Sequence, residues 1–292
     1  MTVEEANSKG KRLLKLPCQQ ALIDSPDLDA ALLLAGALSL RREELITRGG
    51  ETIAENVYKS YQSALKRRRS GECVAYILGR KEFRGLEFAV NPHVLVPRPD
   101  TEILLEAALE HIDLLAESGI NCPLVLDLCT GTGVLAVSLK KERGFIEITA
   151  SDISREALKI AAANADRLLA KVRFAESDLF NAFSAKSSHG RFNVIVSNPP
   201  YVSSGELSSL PPEVQREPRL ALDGGKDGLD CIRKIICGAR EHLHPGGSLL
   251  LEAAPGQMPA IRALMRKNSF GGIKLYKDLA GRNRVISGKT GK

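Results

Sequence analysis

The chain has 292 residues, 43% of them hydrophobic, and a formal net charge of +6. That length favours two domains with real cores, and no apolar run approaches the length of a membrane span. The basic excess permits an acidic partner without naming one, while an aromatic content of 4% argues against a stacking groove for nucleic-acid bases.

Met1 to Ala6 is polar and acidic, with no signal-peptide pattern. The cysteines (Cys18, Cys73, Cys122, Cys129, Cys231 and Cys237) are scattered without CxxC pairs, as expected of reduced thiols in a cytoplasmic protein. No metal site is expected. Residues 1–80 read as a helical bundle. Ser25 and Pro26 are an N-cap and first-turn proline for a helix entering Asp27 to Leu34. A polar break at Arg48-Gly49-Gly50 precedes an amphipathic stretch from Glu51 to Arg69. The run Lys66-Arg67-Arg68-Arg69 reads first as a solvated helix end favoured by the macrodipole, and second as a docking patch.

The pattern then changes. Leu86, Phe88 and Val90 alternate on one face, which predicts a short strand or hairpin and a β-hairpin linker over 81–96. Val94 to Val96 leads into Pro97-Arg98-Pro99-Asp100-Thr101-Glu102, whose last three residues are candidate caps for a helix over Ile103 to Leu115. Capping leaves the rigid Pro-Arg-Pro unexplained.

From residue 124 onwards strands and helices alternate, which predicts a doubly wound parallel sheet. Leu124 to Leu128 is a strand running into Cys129-Thr130-Gly131-Thr132-Gly133, with a helix opening at Val134. Ile146 to Ala150 is a second strand ending at Ser151-Asp152, followed by a helix from Glu156 to Leu169. Val172 to Ala175 is a third, ending at Asp178-Leu179-Phe180. Phe192 to Ser197 is a fourth, stopped by Asn198-Pro199-Pro200-Tyr201, and Ser248 to Glu252 a fifth. His242 and His244 read as cations at a helix end before Pro245. In this fold class ligands bind at the carboxyl ends of the strands, where several of these polar residues fall.

Glycines at 131 and 133 leave room for a ligand at a helix start, and Asp152 can take both hydroxyls of a ribose. A dinucleotide satisfies that pattern as well. Asp127 tips the balance: in the strand before the glycine loop it would repel a pyrophosphate but welcome an amino-acid ammonium group. Asp178, with Leu179 beside it, is placed to meet an adenine amino group. The cofactor predicted is S-adenosylmethionine, with S-adenosylhomocysteine as product. The Asn198 amide oxygen and the Pro199 carbonyl form a rigid pair of acceptors, because neither Pro199 nor Pro200 has an N–H to close a turn. Such a pair grips a planar –NH2 group, Tyr201 packs against its face, and the amine lone pair is turned toward the methyl.

With these residues the chain resembles the release-factor glutamine N5-methyltransferases, the HemK-like (PrmC) family. The likeness extends from Ala75-Tyr76-Ile77-Leu78-Gly79 through the Pro97–Glu102 segment, the glycine loop and Asn198–Tyr201. It continues in Glu217–Leu222 with Gly224–Leu229, and closes at Lys277–Arg284. The resemblance implies a seven-stranded class I methyltransferase (Rossmann-like) domain over 97–292, after a helical substrate-recognition domain over 1–80. It implies transfer to the glutamine amide of the Gly-Gly-Gln motif of class 1 peptide chain release factors. It places cofactor contacts at Cys129–Gly133, Asp152, Asp178, Leu179 and Asn198, and the glutamine amide at Asn198–Tyr201. A monomer with no direct nucleic-acid or membrane binding is expected. A ribosomal-protein glutamine or a nucleic-acid base is the alternative acceptor. The glycine pattern also permits a nicotinamide-dependent oxidoreductase, which leaves Asn198–Tyr201 unemployed, and the fold also permits a non-catalytic adaptor. Cys129 stands where the family often has glycine, Leu179 where relatives can carry an aromatic, and Ala254 where glycine often follows the fifth strand.

Overall fold

The computed structural model describes residues 1–17, 23–185 and 190–291; Cys18 lies outside them. The chain divides into two compact units, Met1–Arg80 with Ser209–Glu217, and Lys81–Ser208 with Pro218–Lys292.

The smaller unit holds α1 (Val3–Lys15), α2 (Pro26–Leu38), α3 (Glu44–Thr47), α4 (Glu55–Arg69) and α5 (Val74–Leu78). A reciprocal cap between Thr2 and Glu5 starts α1, whose Val3, Ala6, Gly10 and Leu14 recur at helical spacing and are buried. Gly10 is where α1 meets Tyr61 of α4: a Cβ there would lie 1.8 Å from the tyrosine oxygen. Ser25 does precede α2, yet its side chain makes no cap hydrogen bond and the proline start carries the entry. The basic run is not uniformly solvated. Arg68 is buried, with Nε 2.6 Å from Asp29 Oδ2 of α2 and Nη1 2.8 Å from Glu213, and Arg67 pairs with Glu72 at 2.5 Å. The expectation of a solvated helix end therefore fails at Arg68, because α4 turns that side chain into the bundle and supplies it with carboxylates. Removing one partner of a buried ion pair is costly. Asp29→Ala is expected to destabilise this unit by about 2 kcal/mol, since Glu213 remains to share the charge. A thermal melt of the full chain, followed by helical circular dichroism, checks it.

In the larger unit, β1 (Arg80–Phe83) and β2 (Leu86–Ala89) form a hairpin whose Phe83 and Phe88 rings meet edge to face at 6.4 Å. Both rings are buried in the core of this unit. There follow α6 (Thr101–Glu117), β3 (Leu124–Leu128), α7 (Val134–Glu142), β4 (Glu147–Asp152), α8 (Arg155–Arg167), β5 (Arg173–Glu176) and β6 (Phe192–Ser197). After them come α9 (Arg219–Leu222), α10 (Asp230–Ala239), β7 (Leu243–Glu252), α11 (Met258–Lys267), β8 (Gly271–Lys277) and β9 (Asn283–Lys289). The sheet order is β5-β4-β3-β6-β7-β9-β8, parallel as far as β7 and antiparallel beyond it. This is the seven-stranded doubly wound sheet expected, with β3 and β6 neighbours at the switch point. Val125, Leu126, Val194, Ile195, Leu249 and Leu250 are wholly buried, because helices cover both faces of a parallel sheet.

Three local expectations are corrected. β7 begins at Leu243 and runs through Pro245-Gly246-Gly247, five residues earlier than the apolar run suggests. His244 is accordingly in the strand and not at a helix end, while His242 stays against the last turn of α10. His242 is buried, stacks on Phe180 at 4.5 Å, and has its ring nitrogens 3.0 and 3.1 Å from the Gly238 and Phe183 carbonyls. Asp100 makes no cap hydrogen bond to α6; its carboxylate pairs with Arg284 at 3.0 Å.

Candidate active site

Strand register builds the site. Leu251, Ser197, Leu128, Ser151 and Ala175 are successive partners across the parallel sheet. The next residue of each strand therefore falls in one row at the carboxyl edge: Glu252, Asn198, Cys129, Asp152 and Glu176. A cavity of about 440 Å³ opens over this edge, and its wall includes Cys129, Thr130, Gly131, Thr132, Asp152, Asp178, Leu179, Asn198 and Pro200.

The glycine loop is held from both sides. Asp152 accepts from the Gly131 N–H at 2.9 Å through Oδ2 and from the Ser154 N–H at 2.9 Å through Oδ1. Burial raises its pKa against these backbone donors. A Cβ on Gly131 would meet no atom within 4 Å, so the backbone there stands clear for a ligand. Gly133 is different: at φ +78°, its missing side chain admits Ala161 of α8, whose Cβ would lie 3.0 Å away. It is a packing position and not part of the wall. Asp127 is also placed otherwise than expected. It is fully buried beneath the loop, with Oδ2 accepting from the Thr130 hydroxyl at 2.6 Å and the Ala136 N–H at 3.2 Å. Burial pushes its pKa up to about 7. It braces the loop from behind and is absent from the cavity wall, so a direct grip on an ammonium group does not follow from its position. Cys129, the departure at the loop's first position, lies beside Cys231, and that neighbour together with burial raises its pKa.

Asn164, also hidden from sequence reasoning, ties this loop to the hairpin. Its amide donates to the Thr132 carbonyl at 3.0 Å and the Ala89 carbonyl at 3.1 Å, and accepts from the Ala89 N–H at 2.7 Å.

The second half of the site is Asn198-Pro199-Pro200-Tyr201. Asn198 Nδ2 donates to Thr101 Oγ1 at 3.2 Å, which leaves the amide oxygen as the end without a protein donor among the described residues. The Pro199 carbonyl likewise accepts no hydrogen bond from the described residues. The loop over residues 222–228 clamps this corner: Val202 N–H donates to Leu222 O at 2.9 Å and Gly224 N–H to Val202 O at 2.8 Å. Gln257 Nε2 donates to the Tyr201 carbonyl at 2.9 Å. Gly228 is required here, since a Cβ would lie 2.3 Å from the Tyr201 oxygen. The cavity wall takes Asn198 and Pro200 from the motif but not the side chains of Pro199 and Tyr201. Tyr201 packs on the core under β6 and β7, its hydroxyl 3.5 Å from Glu252 Oε1, and burial pushes its pKa up. Its ring thus packs against the core beside the corner.

Sequence reasoning missed Thr101 and Glu252. Glu252 is fully buried, and burial raises its pKa to about 7, with the nearby Asp100 charge adding to the effect and Thr101, Arg284 and Tyr201 opposing it. The signal was present, since Glu252 closes an apolar strand as Asn198 does. Thr101 looked like a helix cap.

A doubly wound sheet with a glycine loop at its first strand and a polar proline corner across the switch point defines a class I methyltransferase. The Methyltransferase small domain family matches residues 103–210, and the PrmC N-terminal domain family matches 15–79. A 16S rRNA methyltransferase of T. Thermophilus, solved with AdoMet and guanosine, superposes with a TM-score of 0.52 at 22% identity, covering 72% of this chain and 49% of its own. That likeness is one of fold. Release factor glutamine methyltransferases of Neisseria gonorrhoeae and Burkholderia pseudomallei are 42% and 41% identical to this chain. The matches cover 90% of this chain and 93% and 91% of theirs. The chain belongs to the release factor glutamine methyltransferase family.

Proposed function

We propose that this protein transfers a methyl group from S-adenosylmethionine to the side-chain amide nitrogen N5 of the glutamine in the Gly-Gly-Gln motif of a class 1 peptide chain release factor. The observation that carries the reading is the single row of strand ends: an acidic residue and a backbone loop stand beside an asparagine whose amide oxygen is kept free. The cavity fits the cofactor's chemistry, with open backbone at Gly131 and carboxylates at Asp152 and Asp178 in its wall. When bound, the cofactor supplies an electrophilic methyl group on a sulfonium sulfur.

The chain's own residues bind and orient. Asp152, already anchored to two backbone N–H groups, keeps lone pairs for ribose hydroxyls. Asp178 and Leu179 flank the adenine, and Cys129 to Thr132 pass their backbone beside the tail. Asn198 Oδ1 and the Pro199 carbonyl accept the two N–H bonds of the glutamine amide. A carboxamide nitrogen is a poor nucleophile because its lone pair is delocalised into the carbonyl. Two fixed acceptors favour its pyramidal form and stabilise the positive charge that develops on nitrogen, so no strong base is needed before transfer, and the strongly acidic N-methylated amide then gives its extra proton to water. Water would compete for the same N–H bonds; the clamp by residues 222–228 holds the corner ready without reorganisation.

The smaller, helical unit is assigned to recognition of the protein substrate in the cytoplasm. Photocrosslinking with a bound release factor is expected to mark residues 1–80; crosslinks confined to 81–292 would remove that assignment. For the reaction itself, labelled S-adenosylmethionine is offered with a release factor, a ribosomal-protein substrate or RNA. Label is expected in the release factor, on its Gly-Gly-Gln glutamine. Label in either competitor alone would replace this reading.

A further inference from the structure

We propose that Glu252 fixes the direction in which the Thr101 hydroxyl points its proton and, through Thr101, holds the Asn198 carboxamide with its oxygen toward the acceptor nitrogen. The inference rests on the glutamine-methylation reading and deepens it.

A carboxamide has an acceptor end and a donor end of nearly the same shape, and only hydrogen-bond partners decide which end faces where. For Asn198 the choice is decisive. With Oδ1 outward it accepts from a substrate –NH2; turned by half a rotation it would oppose that group donor to donor. Its contact with the protein is Thr101 Oγ1, at 3.2 Å from Nδ2. A hydroxyl does not settle the question, because it donates or accepts equally well and would satisfy either end of the amide. An ionised carboxylate only accepts. Glu252 stands next to Asn198 in the strand-end row, and the Thr101 hydroxyl favours its ionised form, as a donor to the carboxylate does. The Thr101 oxygen is then left with lone pairs alone for Asn198, so Nδ2 must turn inward. The chain carboxylate, hydroxyl, amide thus has one consistent direction, and burial makes the wrong one expensive.

The groups around Glu252 show that its charge is finely held. Tyr201 presents its hydroxyl to Oε1 at 3.5 Å, and Oε2 is buried with no hydrogen-bond partner. Arg284 favours the ionised form, and Asp100 opposes it. Arg284 itself is shared, 3.0 Å from Asp100 and 3.5 Å from Asp278. Arg98 and Asp100 act on the neighbouring Tyr201. With its pKa raised to about 7, Glu252 gains a proton as pH falls below neutrality and becomes a donor. Thr101 is then released to donate to Asn198 Oδ1, and the amide loses its enforced orientation. Methyl transfer therefore falls as pH drops through about 7 and reaches a plateau above it.

The test uses the full chain with release factor, comparing T101V, T101S and E252Q for kcat, KM and cofactor Kd by calorimetry. T101V removes the hydroxyl at constant volume and is expected to lose about tenfold or more in kcat, with cofactor Kd changed by less than about threefold. T101S restores the hydroxyl and is expected to stay within about threefold of the unaltered chain. E252Q cannot ionise, and its carboxamide can present either end to Thr101, so the direction is no longer enforced. It is expected to lose about fivefold or more in kcat above neutrality and to lose the acid limb of the pH profile. An unchanged kcat in T101V, an equal loss in T101S, or an acid limb that persists in E252Q would each overturn the relay. If the unaltered chain labels no acceptor, the functional reading falls and the relay with it; normal labelling with an unaffected T101V sinks the relay alone.

Discussion

Asn198→Ala is expected to lower methyl transfer by about a hundredfold or more while leaving most cofactor binding in place. The expected size follows from what the side chain does. Removing one preorganised polar partner of a developing charge costs about a hundredfold to a thousandfold in comparable acyl-transfer sites, and here the partner also aligns the nucleophile. The loss should appear in kcat, because the bond to nitrogen strengthens as positive charge builds. The structure adds a reason for the fold to survive the substitution. Pro199 to Gly224 is secured by its own backbone hydrogen bonds and by Gln257, none of which passes through the Asn198 side chain. Single-turnover transfer to the release factor, with calorimetry for the cofactor, separates the two effects. Wild-type turnover in this variant would remove the mechanism.

Asp152→Ala is expected to raise the cofactor Kd by about a hundredfold, read by titration calorimetry. Two charge-assisted hydrogen bonds to ribose hydroxyls at about 1.5 kcal/mol each give roughly 3 kcal/mol, and each 1.4 kcal/mol is tenfold in affinity. The same carboxylate also fastens Gly131 and Ser154 at 2.9 Å, so its removal loosens the loop as well as the proposed ribose site. Asp152→Asn separates these contributions. It keeps one acceptor but must turn an N–H toward one of the two backbone donors. An intermediate affinity is the expected outcome, and a Kd unchanged in the alanine variant would show that the ribose is held elsewhere.

Much of this site is legible in the chain because strands betray themselves. Short β-branched runs ended by Cys129, Asp152 and Asn198 place those residues at the carboxyl edge of a parallel sheet, and the cavity lies there. Asp127 and Gly133 mark a limit of spacing, which tells which residues are near a loop but not on which side of it they lie. Asp127 sits beneath the loop and Gly133 against Ala161. Arg68 shows the same limit on a helix: four consecutive basic residues cover every face of α4, and only packing selects the one that turns inward to Asp29.

The chain by itself determines the alternation of strand and helix, the class of ligand its strand ends accept, and the proline corner that leaves two acceptors without turn partners. These are local consequences of hydrophobic period, backbone restriction and donor count. Only tertiary structure decides that Thr101 from the start of α6 and Glu252 from the end of β7 meet at Asn198, residues separated by about a hundred and by fifty-four positions in sequence. Their meeting depends on sheet order and register, which arise from long-range pairing of strands and leave no mark in the neighbouring residues.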